Sequence, residues 1–173
     1  MVEKLDYTII KKYTKIEIRD YPEIILAIVE NIYDNKAFGL LFNYISGNNK
    51  INEKIKMTAP VINSEKIEMT SPVISKGNFM AFIMPSSYDK NSIPIPIDSD
   101  VKIKIEPKRK LAVIRFSGYS TNSKIKKYED ILLNELKLNK IKTKGEPFLM
   151  RYNSPFAPSF VRRNEIGVEV DFD

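Results

Sequence analysis

Polar and apolar residues alternate with a period of two near the N-terminus. In KIEIRD (15–20), two isoleucines alternate with charged residues, which predicts a half-buried strand. After a turn at 20–22, IILAIV (24–29) is continuously apolar and predicts a strand buried on both faces. The segment 15–30 is therefore predicted as a hairpin of two strands.

A helical period follows in DNKAFGLLFNYISGNN (34–49), where apolar residues recur at positions i, i+3, i+4 and i+7. Asp34 or Asn35 is expected to cap the start of this helix, and Gly47 to mark its end. The apolar face consists of Phe38, Leu41, Phe42 and Ile45, flanked by Ala37, Leu40 and Tyr44. This arc is wider than a helix resting on a sheet needs, so it could serve as a ligand wall or a partner surface.

An octapeptide pattern occurs twice after this helix. IKMTAPVI (55–62) and IEMTSPVI (67–74) share six of their eight positions. Each copy predicts a short strand, and its proline places that strand at an edge or in a bulge. Thr58 and Thr70 are expected to hydrogen-bond the backbone where the prolines interrupt the ladder. We interpret the pair as scaffold that curves a sheet.

The second half of the chain repeats the plan. VKIKIEPKRKLAVIRFSG (101–118) resembles the segment 15–30, and a second helix is predicted at about 122–138. The apolar face of that helix comprises Ile125, Tyr128, Leu132 and Leu136. Further strands are predicted near 78–85, 147–152 and 164–172.

A strand–strand–helix–strand–strand unit is therefore used twice, in halves at about 7–85 and 101–172 joined by a connector at 86–100. Neither half can bury its sheet face alone, so we expect the two to pack around a pseudo-twofold axis as one domain over 1–173.

Two missing residue types exclude much chemistry. The 173 residues contain no histidine and no cysteine. A Ser-His-Asp triad, a histidine-ligated zinc or haem, a thiolate metal site and a disulfide are all impossible. No run of 18 apolar residues occurs, and the N-terminus lacks the layout of a signal peptide, so no membrane span and a cytoplasmic location are expected.

The net charge is +6, and the basic residues are concentrated in the second half. Many of these lysines are mixed with acidic residues, as in KKYED (126–130), which is typical of a solvated face. No helix-turn-helix or RNA-binding signature accompanies the charge, so we expect no nucleic-acid partner. No paired-carboxylate motif, metal cluster or phosphate loop is visible, and the protein is not expected to be an enzyme.

Several motifs together resemble those of the SOUL/haem-binding-protein family. In chain order they are KIKMTAPVI (54–62), KIEMTSPVI (66–74), FIMPSSY (82–88), LAVIRFSG (111–118) and RYNSPFAPSFVRRNEIGVEV (151–170). The resemblance covers about residues 7–171. It implies an α+β fold in which two pseudo-symmetric halves form a distorted antiparallel β-barrel flanked by two helices.

The resemblance also implies non-covalent binding of haem or protoporphyrin, in a pocket between the first helix and the loop of the YN-x-P motif. Here these are residues 37–45 and 152–163. The apolar walls would be Phe38, Leu41, Phe42, Tyr44 and Ile45 on the helix, and Tyr152, Phe156 and Phe160 on the loop, held by Pro155 and Pro158. Arg162 and Arg163 would bind the propionates, because arginine forms two-pronged bonds to carboxylates.

Each assignment has an alternative. The helix positions also suit a packed core, and the two arginines could pair with Glu165 instead of a ligand. Without histidine, Tyr44 or Tyr152 is expected near any bound iron. Met57 and Met69 could form an axial pair, but methionines at matched strand positions more often fill a core. No metal site made of protein ligands alone is predicted.

Two other functions stay open from the sequence. The protein could bind other small apolar molecules, including cationic ones, because Glu165 and Glu169 in the last predicted strand would favour a cation if they were buried. The apolar arc of the first helix could also make it a protein-interaction module. We expect a monomer with a small apolar or tetrapyrrole ligand.

Overall fold

The computed structural model describes residues 3–51, 64–154 and 156–173. It divides into two compact units, each discontinuous in sequence. Unit 1 comprises Met1–Lys4, Ile24–Val73 and Gly77–Glu106, and unit 2 comprises Leu5–Glu23, Ile74–Lys76 and Pro107–Asp173. The first octapeptide, with Met57 and Thr58, lies outside the described residues.

The helices are α1 (Asp34–Ile45) and α2 (Asn122–Leu138), and a 3-10 turn spans Ser159–Val161. In chain order the strands are β1 (Glu3–Lys4), β2 (Thr8–Lys12), β3 (Glu17–Tyr21), β4 (Ile24–Glu30), β5 (Asn49–Lys50), β6 (Thr70–Ser71), β7 (Val73–Lys76), β8 (Phe79–Ile83), β9 (Ile95–Pro96), β10 (Lys102–Glu106), β11 (Arg109–Ser117), β12 (Lys142–Thr143), β13 (Phe148–Arg151) and β14 (Arg163–Asp171). No helix among the described residues is both long and apolar enough to cross a membrane.

Unit 1 is built on an antiparallel sheet in which β4 lies between β8 and β10. Helix α1 packs on β4 and β8. Its buried core comprises Ala27, Val29, Ala37, Leu41, Tyr44, Ile45, Ile67, Met80, Phe82, Met84, Ile93 and Val101. The continuous apolar run of β4 therefore lies between two neighbouring strands and beneath the helix, as its pattern predicts.

Unit 2 contains an antiparallel sheet in the order β13-β14-β11-β3-β2, with β12 also paired to β14. Alternate residues of its strands point to opposite faces. One face packs against α2 and forms a core of Ile16, Ile18, Ala112, Ile114, Phe116, Leu132, Leu136, Leu149, Ile166, Val168 and Val170. The other face carries the intervening residues of β3 and β14, many of which are charged.

The predicted α+β class, with two helices and antiparallel strands, is confirmed. The predicted hairpin at 15–30 is wrong, although both of its strands exist. Strand β3 pairs with β2 and β11, whereas β4 pairs with β8 and β10. The apolar run of β4 is buried by neighbours in unit 1, while the alternating pattern of β3 suits the two-faced sheet of unit 2. The pseudo-twofold relation between the two halves of the sequence stays a prediction.

The bounds of both helices agree with those predicted from the sequence, but the predicted N-terminal cap of α1 is not found. Helix α1 begins at Asp34 after Tyr33, and no side chain caps its start, so the predicted cap by Asp34 or Asn35 is wrong. Gly47 follows the end of α1 with φ +117°, a conformation that favours glycine, which confirms the predicted end. Helix α2 matches its predicted range, and Thr121 Oγ1 accepts a hydrogen bond from the Lys124 amide.

In the second octapeptide, Met69 has the position against the core that was expected, but Thr70 lacks the expected hydrogen bond to the backbone. Met69 packs against the core of unit 1, as expected of a methionine that fills space. Thr70 and Ser71 form the short strand β6, which pairs in parallel with β1. The buried Thr70 Oγ1 has no hydrogen-bond partner among the described residues, so the expected bond to the backbone is not found for this copy.

Candidate functional site

A buried carboxylate lies on the charged face of the unit 2 sheet. Glu165 is the third residue of β14, and its neighbour Ile166 points into the core beneath α2. Neighbouring strands are about 4.8 Å apart, so long side chains on β3 can reach across β11 to β14. Arg19 on β3 does so, and it is 3% exposed while Glu165 is 0% exposed.

Two guanidinium groups and a phenol bind this carboxylate. Arg19 donates from Nη1 to Glu165 Oε2 over 2.7 Å and from Nη2 to Oε1 over 3.2 Å. Arg163 donates to Oε1 from Nε over 3.0 Å and from Nη2 over 2.8 Å. The Tyr152 hydroxyl donates to Oε2 over 3.0 Å. The carboxylate is therefore fully paired, as a buried charge requires.

Further residues complete the arginine contacts. Glu17 accepts a hydrogen bond from Arg19 Nε over 2.9 Å, and Tyr21 accepts one from its Nη1 over 3.1 Å. The ring of Tyr7 lies 4.1 Å from the guanidinium carbon of Arg19, and the Tyr7 hydroxyl accepts from Arg163 Nη2 over 3.1 Å. We name this set the Glu165 cluster: Tyr7, Glu17, Arg19, Tyr21, Tyr152, Arg163 and Glu165.

The cluster shifts the titration of its members. Burial alone would raise the pKa of Glu165, but the hydrogen bond from Arg19 and the charges of Arg19 and Arg163 outweigh it and lower that pKa. Burial raises the pKa of Tyr21 to about 12, despite the nearby Arg19. Burial and the negative charge of Glu165 raise the pKa of Tyr152. Glu165 is therefore ionised and both phenols are protonated near neutral pH.

A cleft of about 260 Å³ opens beside the cluster, within unit 2. It is lined by Tyr7, Ile9, Lys12, Tyr13, Thr14, Lys15, Ile16, Glu17, Arg19, Val113, Arg115 and Arg163. Five of these residues are cationic and one is a carboxylate, so the cations outnumber the carboxylates even when the adjacent Glu165 is counted. An anion is the charge that such walls attract.

The predicted loop at 152–163 exposes two large rings. Phe156 is 95% exposed and Phe160 is 82% exposed. Arg162 donates from Nε to the Ala157 carbonyl over 2.7 Å, and its guanidinium carbon lies 4.6 Å from the ring centre of Tyr119. Pro155 lies outside the described residues. Of the two candidate arginines, Arg163 pairs with Glu165, as the alternative interpretation allowed, whereas Arg162 stays on the loop.

The predicted residues of α1 separate into core and surface. Leu41, Tyr44 and Ile45 are buried in unit 1 and serve its core. Phe42 is 49% exposed and stacks on the partly buried Phe38, with ring centres 6.1 Å apart. A ligand on α1 would therefore meet the two phenylalanines and not the buried residues. The helix residues fall in unit 1 and the loop residues in unit 2.

Neither tyrosine predicted near iron suits that role. The Tyr44 hydroxyl donates to the Pro94 carbonyl over 2.7 Å, and burial raises its pKa. The Tyr152 hydroxyl donates to Glu165. Tyrosine binds haem iron as tyrosinate. Each phenol would have to lose its proton and a buried hydrogen bond to act in this way, so the geometry opposes the prediction.

Substituting Tyr44 with phenylalanine tests this conclusion. We expect the free energy of unfolding to fall by about 1–2 kcal/mol, because the buried Pro94 carbonyl loses its donor. Hemin binding should stay unchanged in the folded variant. Denaturant unfolding and a Soret titration measure the two quantities, and a loss of hemin affinity with stability intact would restore Tyr44 as an iron ligand.

Sequence reasoning placed Glu165 near Arg162 and Arg163 but missed Arg19, Tyr21 and Tyr7. The available signal was weak. In EIRDY (17–21), alternate residues facing away from the isoleucines are Glu17, Arg19 and Tyr21, a polar row that is also typical of a solvated face. Only the pairing of β3 and β14 with β11 turns that row towards Glu165.

Comparison with solved structures shows the fold. The chain is similar to the crystal structure of the EcmrR C-terminal domain, with a TM-score of 0.57, 11% identity, and coverage of 95% of this chain and 98% of that one. It is similar to EcmrR in the cryo-EM structure of its DNA complex (TM-score 0.59, 11% identity), covering 91% of this chain and 57% of that one. A hydrolase from Listeria innocua also matches, with a TM-score of 0.57, 11% identity and 94% coverage of each chain.

Comparison with protein families is more specific. A search of curated proteins finds no match. The profile of the family described as SOUL heme-binding protein matches residues 2–169, nearly the whole chain. The match includes all residues of the Glu165 cluster and the loop with the exposed phenylalanines. The chain therefore belongs to the SOUL heme-binding protein family.

Proposed function

We propose that the protein binds haem or a related tetrapyrrole such as protoporphyrin, mainly through apolar contacts and without histidine ligation, as a carrier, buffer or sensor. Family membership supports the ligand class. The observation that carries the proposal for this chain is the loop at 152–163, where Phe156 and Phe160 are exposed beside Arg162.

The apolar part of a porphyrin fits these rings. Fully burying one phenylalanine side chain contributes about 1.5–3 kcal/mol, so two exposed rings offer a substantial driving force for a flat apolar ligand. The rings are also four residues apart on a short segment that contains the 3-10 turn Ser159–Val161. Several contacts could thus form at once when a single disc binds.

The loop is held in place before any ligand arrives. The Tyr152 amide donates to the Arg163 carbonyl over 3.1 Å, which closes the base of the loop. The Arg163 amide donates to Asn153 Oδ1 over 2.7 Å, and the Ala157 amide donates to the Ser154 carbonyl over 3.0 Å. A preorganised loop loses less conformational entropy on binding.

The carboxylate edge of a porphyrin calls for a cation near these rings. Arg162 lies two residues after Phe160, and its planar guanidinium suits a carboxylate. Both arginines already make contacts within the protein, Arg162 with the Ala157 carbonyl and Arg163 with Glu165. We propose that the exposed rings bind the porphyrin face and that a guanidinium of this segment binds its carboxylates.

Iron is the part of haem that the described residues fit least. The chain contains no histidine, and Tyr44 and Tyr152 are buried hydrogen-bond donors. When bound, haem would supply a redox-active iron, while the residues argued here would hold its ring and its carboxylates. We therefore expect recognition to be largely independent of the metal.

A parallel titration with hemin and metal-free protoporphyrin tests the proposal. We expect saturable binding of both, with dissociation constants within about a factor of ten, which corresponds to about 1.4 kcal/mol. The Soret band and the quenching of porphyrin fluorescence report binding. Binding of hemin alone would contradict the metal-independent mode, and binding of neither would refute the proposed function.

An apolar cation is a poorer fit to the Glu165 cluster. A buried carboxylate attracts a cation when its charge is not neutralised, but Glu165 is paired with both Arg19 and Arg163. Glu169 is partly exposed and lies 3.8 Å from Arg109. Neither carboxylate therefore presents an unpaired negative charge to a cationic ligand.

A further inference from the structure

The basic cleft of unit 2 is a candidate site separate from the loop at 152–163. Its floor and walls come from the end of β2, the β2–β3 turn, β3 and β11. Arg163 is the residue of the loop that also lines it. Phe156, Phe160 and Arg162 do not line the cleft, so its chemistry can be tested independently of porphyrin binding.

The two arginines of the cleft that belong to the Glu165 cluster differ in how many of their nitrogen atoms already donate hydrogen bonds within the protein. Arg19 uses Nε, Nη1 and Nη2 in contacts with Glu17, Tyr21 and Glu165. It is therefore part of the protein framework and not a free donor. Arg163 uses Nε and Nη2, which leaves Nη1 without a hydrogen-bond partner among the described residues.

Three further cations present exposed charges to the cleft. The Arg115 guanidinium makes no hydrogen bond or ion pair with another described residue, and the side chain is exposed. Lys12 Nζ lies 3.8 Å from Glu17 Oε1, and Lys15 Nζ lies 3.3 Å from Glu135 Oε1. Both lysine side chains are nevertheless more than half exposed. Ion pairs of such exposed lysines contribute little to stability, so the two ammonium groups can also bind an anion from solvent.

We propose that this cleft binds a small molecule that carries a phosphate or carboxylate group on a compact apolar body. Arg115, Lys12 and Lys15 supply the charge, and Arg163, which also lines the cleft, supplies a further donor. Ile9, Val113 and the ring of Tyr13 provide apolar surface for the body. The anionic group is attracted to a net positive cleft that Glu17 does not neutralise.

The volume limits the size of this ligand. Pockets for drug-sized molecules span about 300–1,000 Å³. A cleft of about 260 Å³ falls just below that range and suits a single ring with one anionic group. Its concave form and small size favour a small molecule over the extended backbone of a nucleic acid.

Phenyl phosphate is a suitable probe, titrated into ¹⁵N-labelled protein at constant ionic strength and followed by amide chemical shifts. We expect saturable shifts concentrated in residues 12–17 and 113–115. Benzoate should bind at the same place, and the tighter of the two probes identifies the preferred anionic group. Phenol, which lacks the charge at neutral pH, should give no saturable shifts.

Paired variants give the decisive comparison. Lys12→Gln combined with Arg115→Gln should weaken phenyl phosphate binding at least about tenfold, because two charge-assisted contacts are lost. Lys127→Gln combined with Lys137→Gln removes the same net charge from exposed positions of α2 and should leave binding unchanged. All four positions are exposed, so both proteins should fold, which their amide spectra verify.

Several results would overturn the proposal. Amide chemical-shift changes spread over lysines outside the cleft, or changes that do not saturate, would mean that the positive charges attract anions only non-specifically. Equal weakening in the two double variants, or binding of phenol as tight as that of phenyl phosphate, would exclude a specific anion site. Lys15→Gln offers an independent check, since it should weaken binding without touching either substituted position.

Discussion

The Glu165→Gln variant is expected to unfold with a free energy about 3–5 kcal/mol lower than that of the wild-type protein. The substitution preserves shape but removes the acidic partner of Arg163 and leaves Arg19 with Glu17 as its remaining negative partner on the charged face of the unit 2 sheet. Breaking a buried ion pair from one side typically has this cost, because the remaining charge is desolvated and unpaired. Denaturant unfolding followed by circular dichroism measures the change.

Glu169→Gln is the matched control on the same strand. Glu169 is partly exposed, and its oxygen lies 3.8 Å from Arg109 Nη1. A partly exposed pair at this distance contributes about 1 kcal/mol or less, so this variant should lose much less stability than Glu165→Gln. Similar losses in the two variants would mean that the Glu165 cluster contributes no more than an ordinary surface pair.

The same cluster predicts how stability depends on pH. The pKa of Glu165 is lower in the folded protein than in the unfolded chain, because the contacts with Arg19 and Arg163 outweigh the effect of burial. Its contribution is therefore complete above the unfolded-state pKa and is lost as the pH falls through the folded-state pKa. Glu165→Gln should therefore flatten the acid limb of the stability curve, measured as the free energy of unfolding against pH.

Replacing both Phe156 and Phe160 with serine is expected to weaken protoporphyrin binding at least about thirtyfold. Burial of even part of two phenylalanine rings supplies about 2 kcal/mol or more, and 1.4 kcal/mol corresponds to a factor of ten. Both rings are almost fully exposed in the protein alone, so the free energy of unfolding should change by less than about 0.5 kcal/mol. Fluorescence titration and denaturant unfolding separate the two effects.

Leu138→Ser serves as the control for a lost apolar side chain. Leu138 is 77% exposed at the end of α2, also within unit 2, and should be neutral for binding. Phe42→Ser tests the exposed part of α1 by itself. Unchanged affinity in the double phenylalanine variant would remove the loop from the binding site, while a loss in Phe42→Ser as well would extend the site to α1.

Much of the secondary structure was predictable from the spacing of apolar residues along the chain. The period of Phe38, Leu41, Phe42 and Ile45 predicts α1, and α2 matches its predicted range of 122–138. The alternation in 15–20 likewise predicts strand β3. These features are set by neighbours within a few residues, because side-chain direction repeats every 3.6 residues in a helix and every two in a strand.

It was harder to infer from the sequence which apolar residues lie in the core and which stay exposed for a ligand. The same helical period includes Leu41 and Ile45, which are buried in the core, and Phe42, which is half exposed. Periodicity identifies the face of a helix that tends to be covered, but it does not say where the covering elements end. The exposure of Phe156 and Phe160 likewise depends on the packing of their loop, and no local pattern distinguishes them from core phenylalanines.

The sequence alone determined the two helices, most of the strands, the exclusion of histidine and cysteine chemistry, and the family resemblance. The tertiary structure decided which strands are neighbours, and with them the Glu165 cluster. Arg19 and Glu165 are 146 positions apart and meet because β11 lies between β3 and β14. Strand pairing depends on the burial and hydrogen bonding of the whole sheet. Residues whose local pattern is typical of a solvated face therefore form a hydrogen-bonded network around a buried carboxylate.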